Sequence, residues 1–332
     1  MQDSVTFWTE GGPSVGMGHV MRCINIARAI DGQDLPLHFL VNNERPVIER
    51  LNSEAFFHIT YPVTGMHPSR LSGGVVVIDT KKDVSGQVRA LKEDGRKVIL
   101  IDNTSSGEAD AVVMPTPIYR GLPVNGLVCG SEYIIIGGQF RNARERGTLG
   151  HSRPLKVLVT MGGSDPNNLT GIVLKELAEV GGIEVTVVIG PAFNANRSFE
   201  NLKTGRWEKF SFVHNPKEMA ALMSGSHVAF TAMGTTVFEL AYMGVPSVVI
   251  GNYESDREDM ASLEELGISK GLGFHKDILP GEAGETLKSF RDDPALWQEA
   301  STKAMALTDG RGAMRIASLI TSMIREKTAR VM

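Results

Sequence analysis

Short runs of β-branched apolar residues alternate with helix-patterned segments almost from end to end, and no other feature restricts the fold as much. The candidate strands are Val5–Thr9, Leu37–Val41, Val75–Ile78, Val98–Ile101, Ala111–Met114 and Tyr133–Ile136, then Lys156–Met161, Glu184–Ile189, Phe210–Val213, Val228–Thr231 and Ser247–Ile250. These runs are largely continuous rather than alternating apolar and polar, as expected of parallel strands covered on both faces. Helical patterns lie between them at Gly18–Ile30, Ser85–Asp94, Asn167–Val180, Pro216–Met223, Thr235–Met243 and Glu258–Leu266. The order strand–helix–strand predicts an α/β fold with doubly wound parallel sheets.

At 332 residues the chain is long for one core, and about two domains are expected. The alternation breaks over Gly137–Pro154, a polar, Gly-rich and basic stretch that reads as a linker. This predicts an N-terminal Rossmann-like domain over 1–145 and a C-terminal one over 154–332, with a cleft between them. From about Pro294 the pattern is helical, and the last helix, Gly310–Thr328, is placed to return to the first domain. The net charge of -4 argues against nucleic acid or an anionic membrane as the main partner. Cys23 and Cys129 form no disulfide framework and lack zinc-site spacing, and His58, His67, His151, His214 and His275 show no ligand spacing either. No apolar run approaches the roughly 20 residues that span a bilayer. A cytoplasmic protein, monomeric or weakly dimeric, with no metal and no cofactor, is the expectation.

Three segments carry candidate chemistry. In the first, the loop Gly11–Gly18 runs into the helix that carries His19 and Arg22. Gly16, Met17 and Gly18 let a bulky group approach the backbone, and a helix start favours an anion beside a potential base. The dinucleotide fingerprint G-x-G-x-x-G fails here, because Met21 stands at its last glycine. The second segment, Val157–Asn168, is a strand, a Gly162-Gly163 turn, then Ser164 or Asp165 as N-cap. It suits a phosphate, and equally a plain tight turn. The third is Thr231–Ser247, in which Met233, Gly234, Thr235 and Thr236 open a helix and Glu239 lies one turn inside it. Hydroxyls and helix N–H groups suit a diphosphate, and a carboxylate one turn on can accept from ribose hydroxyls. With no lysine-bearing P-loop, a nucleotide-sugar fits better than ATP. Asp79 and Asp102, each just after an apolar run, can bind sugar hydroxyls or orient His19, or simply cap the following turns.

Together these segments resemble the nucleotide-sugar enzymes of the GT-B fold, a group that includes the MurG-like glycosyltransferases and the PseG-like and SpsG-like proteins. The PseG-like loop I/V-G-x-G-H-x-x-R-C is matched by Val15–Cys23, and M/L-G-G-S/T-D-x-x-N-L by Met161–Leu169. The MurG-like E-x-x-x-x-G-x-P is matched by Glu239, Gly244 and Pro246. The resemblance implies a GT-B fold and metal-independent hydrolysis of a UDP-linked amino or deoxy sugar, in nonulosonic acid (pseudaminic acid) or surface polysaccharide biosynthesis. It implies that His19 is the general base, assisted by Asp79. Gly16, Gly18, Gly163, Ser164 and Thr235–Thr236 would hold the diphosphate and Glu239 the ribose, with Val213 and His214 at the uracil edge.

This chain departs from the family pattern at Trp8-Thr-Glu10, at Ile78-Asp-Thr-Lys81, at Met114-Pro-Thr-Pro117 and at Ser255-Asp256. Most departures fall in the first, sugar-side domain, so UDP-sugar binding is expected while the sugar itself is not fixed. Two other readings compete with hydrolysis. One is a GT-B glycosyltransferase, in which the base deprotonates an acceptor hydroxyl instead of water. The other is a non-catalytic nucleotide-sugar-binding protein.

Overall fold

The computed structural model describes residues 4–30, 35–61, 74–145, 147, 149–191, 193 and 208–329. His67 lies outside these residues. The chain forms two compact units, one comprising residues up to Gly137 together with those from Asp309 onward, the other Gly138–Thr308.

The first unit is built from β1 (Val5–Thr9), α1 (Gly18–Ile30), β2 (Leu37–Asn42), α2 (Arg45–Ser53), β3 (Phe57–Tyr61), β4 (Val75–Asp79), α3 (Ser85–Glu93), β5 (Lys97–Ile101), β6 (Ala111–Met114) and β7 (Leu127–Cys129). Its strands make one parallel sheet in the order β3-β2-β1-β4-β5-β6-β7. Because successive residues of a strand face opposite ways, the sheet feeds two cores. Val5, Phe7, Val75 and Val77 join Val20 and Ile24 of α1 on one side. Trp8, Val76 and Ile78 join Val88 and Leu91 of α3 on the other.

The second unit contains α4 (Gly138–Arg144), β8 (Leu155–Thr160), α5 (Leu169–Leu177), β9 (Ile183–Ile189), β10 (Phe210–His214), α6 (Met219–Ser224), β11 (Val228–Ala232), α7 (Thr235–Tyr242), β12 (Ser247–Gly251), α8 (Asp256–Glu265), β13 (Ser269–Phe274), α9 (Glu282–Asp292) and α10 (Pro294–Ala306). Its parallel sheet runs β10-β9-β8-β11-β12-β13. The final helix, α11 (Gly312–Ala329), belongs to the first unit, where Ile316 and Ile320 join the core under α1. Gly312 is required at its start, since a Cβ there would lie 2.2 Å from the Ile134 carbonyl oxygen. No helix among the described residues is long and apolar enough to cross a membrane.

The structure departs from the sequence pattern in ways that have physical causes. Ile134–Ile136 are buried, as their β-branching suggests, but they form no strand. A 3-10 turn at Ser131–Tyr133 precedes them instead. The stretch read as a linker contains α4, whose Phe140 is 1% exposed. Strands β3, β7 and β13 escape the pattern as well. Edge strand β3 leaves Phe57 61% exposed, β7 has three residues, and β13 carries Gly271 and Gly273.

The N-cap position of α5 is held by Asn168, not by Ser164 or Asp165, and Asn168 makes no side-chain cap; Asp165 serves the helix start from three residues earlier. Its buried carboxylate accepts from the N–H groups of Leu169 at 2.7 Å and Thr170 at 3.1 Å. We expect Asp165→Ala to lower the stability of the second unit by about 0.5–2 kcal/mol, the usual effect of losing a cap. Urea unfolding of that unit measures it, and an unchanged midpoint would contradict the capping role.

Candidate active site

In a doubly wound sheet, loops leave a crevice where neighbouring strands send their connections in opposite directions, at the strands' carboxyl ends. In the first unit that point falls between β1 and β4. The loop after β1 is tied into a fixed shape. Gly12 and Gly16 exchange two backbone hydrogen bonds at 2.9 and 2.8 Å, and Gly16 adopts φ +73°. Asn42 clamps Gly11 from the side, accepting from its N–H at 3.0 Å and donating to its carbonyl at 2.7 Å. The loop delivers the chain into α1 with His19 in the first turn and Arg22 one turn further along.

Asp79, the last residue of β4, is fully buried and receives both side chains. His19 Nδ1 lies 2.6 Å from Asp79 Oδ1. Arg22 donates from Nε to Oδ2 at 2.9 Å and from Nη2 to Oδ1 at 2.7 Å. Arg22 Nη1 also donates to Asp102 Oδ2 at 3.0 Å, and Lys81 Nζ reaches the same oxygen at 2.8 Å. Asp102 stands just beyond β5 with φ +53°.

His19 Nδ1 also lies 2.9 Å from Arg22 Nη2, which can only donate, so each tautomer has a partner there, and the shorter contact is the one to Asp79. Were Nδ1 unprotonated, its lone pair would confront a carboxylate oxygen at 2.6 Å. The shorter, charge-assisted contact favours the form in which Nδ1 donates to Asp79 and the lone pair stays on Nε2. Nε2 has no protein partner among the described residues, and the side chain is 12% exposed. An oriented imidazole with a free Nε2 backed by a carboxylate can take a proton from an O–H.

The surrounding charges are mutually dependent. Burial works against the Arg22 guanidinium, but Asp79 and Asp102 overcome it and raise its pKa above the ordinary value. Burial likewise opposes ionisation of Asp102, yet Arg22 and Lys81 hold its carboxyl below the usual 3.8. Cys23, next along α1, has its thiol pKa pushed well up by burial. It is packing, not a nucleophile.

Sequence reasoning did not find the polar cluster beside this dyad. Glu10, the first residue after β1, is 6% exposed and accepts from Thr80 Oγ1 and from Lys82 Nζ. Asn103 closes the cluster by donating to the carbonyls of Thr80 at 2.6 Å and Lys82 at 2.8 Å. Its position after a strand at the crevice was the available signal.

In the second unit the corresponding point lies between β8 and β11. The Gly162–Ser164 turn follows β8, and Met233–Thr236 follow β11. The expectation that α5 offers its N–H groups to a phosphate needs correction, because the Asp165 carboxylate already occupies those of Leu169 and Thr170. The start of α8 is no better suited, since its first turn holds Asp256, Glu258 and Asp259. Ser255 precedes it without capping through its side chain. The Asp256 carboxylate is engaged with the N–H groups of Asn252 at 2.8 Å and Tyr253 at 3.0 Å. By contrast, α7 starts at Gly234–Thr235 with neither a side-chain cap nor an acidic residue in its first turn. This helix start is the one suited to an anion.

Glu239, one turn into α7, has no side-chain hydrogen bond among the described residues, and burial pushes its pKa up to about 8. A carboxyl raised from 4.5 to about 8 by folding contributes most to stability below pH 4.5, and that contribution is lost as the pH climbs through about 8. The stability of the ligand-free second unit should therefore fall between these limits. Glu239→Gln should remove that slope, as thermal unfolding at several pH values would show. Val213 and His214 lie at the end of β10, the edge strand, with β9 between it and β8. At roughly 4.8 Å per strand this is on the order of 10 Å from β8. Asn167 joins the loops after β8 and β12 by donating to Asn252 Oδ1 at 3.0 Å.

Comparison with solved structures gives the architecture a name. The chain superimposes on MurG of Acinetobacter baumannii with a TM-score of 0.71 at 15% identity, covering 96% of this chain and 99% of that one. The fold is GT-B. The spinosyn rhamnosyltransferase SpnG, solved with thymidine diphosphate, matches with a TM-score of 0.66 at 13% identity, over 95% of this chain and 99% of SpnG.

Two sequence relatives are more informative about lineage. The spore coat polysaccharide biosynthesis protein SpsG of Bacillus subtilis is 23% identical across 97% of this chain and 99% of its own length. The uncharacterised protein MJ1062 of Methanocaldococcus jannaschii is 27% identical over 271 residues, which is 75% of this chain. That match spans only 56% of MJ1062, so the chain corresponds to little more than half of that relative. No protein-family model matches the chain.

Proposed function

We propose that this protein is an enzyme that transfers the glycosyl group of a nucleoside-diphosphate sugar, a UDP-sugar first among them, to a hydroxyl acceptor. His19 serves as general base. The observation that supports the reading is the contact of 2.6 Å between His19 Nδ1 and buried Asp79; with Nδ1 donating to that carboxylate, Nε2 is the proton acceptor. Nε2 takes the acceptor's proton while its oxygen forms a bond to the anomeric carbon. The bond from that carbon to the diphosphate oxygen breaks, and the nucleoside diphosphate departs with the electron pair.

Within the second unit, the uncapped start of α7 with Thr235 and Thr236 would bind the diphosphate, supported by the Gly162–Ser164 turn, and Glu239 would take the ribose hydroxyls. Gly16, Met17, Gly18 and Asp102 would line the sugar. The rhamnosyltransferase neighbour, solved with a nucleoside diphosphate, supports transfer. The SpsG relative supports a place in polysaccharide biosynthesis.

Hydrolysis is the second reading, favoured by the Val15–Cys23 loop, which matches the PseG-like signature. The same base then deprotonates water. Following UDP release from a panel of UDP-sugars, with and without sugar or lipid-linked acceptors, separates the two. Release that requires an acceptor supports transfer, and equal release in buffer alone supports hydrolysis. No release with any donor, despite saturable UDP binding, would sink both in favour of a binding protein.

A further inference from the structure

Arg22 is shared among three groups. Its Nε and Nη2 donate to the two oxygens of Asp79 at 2.9 and 2.7 Å, and its Nη1 donates to Asp102 Oδ2 at 3.0 Å. Nη2 also lies 2.9 Å from His19 Nδ1. When Nε2 takes a proton, the imidazolium therefore forms beside a guanidinium. Like charges this close repel, and buried Asp79 alone would set one negative charge against two cations. Asp102 supplies the second negative charge. Burial opposes its ionisation, yet Arg22 and Lys81 hold its carboxyl below 3.8, so it is charged at neutral pH.

Lys81 works in the other direction. Its Nζ reaches the same Asp102 oxygen at 2.8 Å, and its side chain is 67% exposed. A solvated ammonium of this kind offsets part of the carboxylate's charge. The other groups around the imidazole add no net charge. Glu10 pairs with Lys82. Strand β1 turns Val5 and Phe7 to α1, and α11 meets the same core through Ile316 and Ile320.

We propose that Asp102 is a positioning residue for His19, acting through Arg22, and that Lys81 opposes it. Asp102 engages the guanidinium at Nη1 and balances its charge, so that Asp79 can hold the imidazolium formed when Nε2 gains a proton. Nδ1 goes on donating to Asp79 throughout. This role is additional to the place of Asp102 beside the sugar, and it rests on the reading of His19 as the base.

Removing either charge should change the pH at which His19 titrates, in opposite senses. NMR of the ligand-free full chain, labelled with carbon-13 at histidine Cε1, measures that midpoint, the His19 signal being the one lost in His19→Gln. Asp102→Asn should lower the midpoint by about 0.5–1 pH unit, and Lys81→Gln should raise it by a smaller amount. With a UDP-sugar, kcat of Asp102→Asn should fall about 3–10-fold, and the acid limb of its pH profile should move to lower pH. Loss of a sugar contact alone would raise the donor KM and leave the midpoint in place. The proposal is overturned if Asp102→Asn leaves the midpoint unchanged, or if both variants move it the same way, as a general loosening of the loop would. Should Asp102→Asn fail to fold, Lys81→Gln decides, because its exposed side chain can be replaced without disturbing the core, and an unmoved midpoint there rejects the proposal. Opposite midpoint shifts in a protein that turns over no UDP-sugar would uphold the coupling and reject His19 as the base.

Discussion

His19→Ala should lower turnover of a UDP-sugar by about 10²–10⁴-fold, the usual contribution of a positioned general base. The loss should fall on kcat, with the donor KM and the affinity for UDP changing little, because in the proposed reaction the imidazole acts on the nucleophile's proton and not on the diphosphate. A side chain that merely shaped the loop would instead move KM and UDP affinity together. Asp79 and Arg22 remain paired in the variant, so the fold should survive. Retention of more than a tenth of the wild-type kcat would remove His19 from the mechanism.

The second large effect concerns stability. Arg22→Leu strips the cation from between Asp79, which is fully buried, and Asp102, which is 23% exposed at its side chain. Removing one partner of a buried ion pair typically costs about 3–5 kcal/mol, because the charge left behind is uncompensated. The unfolding transition of the first unit should shift to lower urea by a corresponding amount. Arg22→Lys should lose less, since it retains the charge but not the planar fork that reaches both carboxylates.

The pH dependence of this difference has a defined sign. In the wild type the folded Asp102 pKa lies below 3.8, so its contribution is full above that value and is lost as the pH falls through the folded pKa. In the leucine variant only Lys81 still opposes burial, so that pKa rises from its wild-type position. The stability gap should therefore widen as the pH rises from acid toward neutral. A gap that stays constant would show that the pair is not what Arg22 contributes.

The main features of the fold were legible from residue pattern. Continuous runs such as Val75–Ile78 and Val228–Thr231 can satisfy both their backbone groups and their apolar faces only in a sheet covered on both sides. Helices between such runs then require parallel pairing. What escaped the pattern was short, exposed or glycine-broken. Edge strand β3 has water on one side, and β13 has Gly271 and Gly273 where packing residues would announce a strand. At Ile134–Ile136 the opposite happened. Burial was read correctly, but burial does not distinguish a paired strand from an extended segment held under α11.

The candidate site divides in the same way. Local signals, a Gly-rich loop into a helix start and carboxylates after apolar runs, marked His19, Asp79 and Asp102. Spacing along the helix placed Arg22 on the face of His19. Local signals also overvalued the start of α5, because no pattern tells whether Asp165 turns its carboxylate back onto the helix or leaves the N–H groups open.

The amino-acid order by itself determined two parallel α/β sheets and a histidine at the first turn of α1, since both follow from interactions within a few residues. Only the tertiary structure decided that Asp79, sixty residues from His19, meets its imidazole at Nδ1. It alone showed that Arg22 bridges Asp79 to Asp102. Those pairings arise from strand order and register, which join residues distant in sequence and therefore leave no local pattern to read.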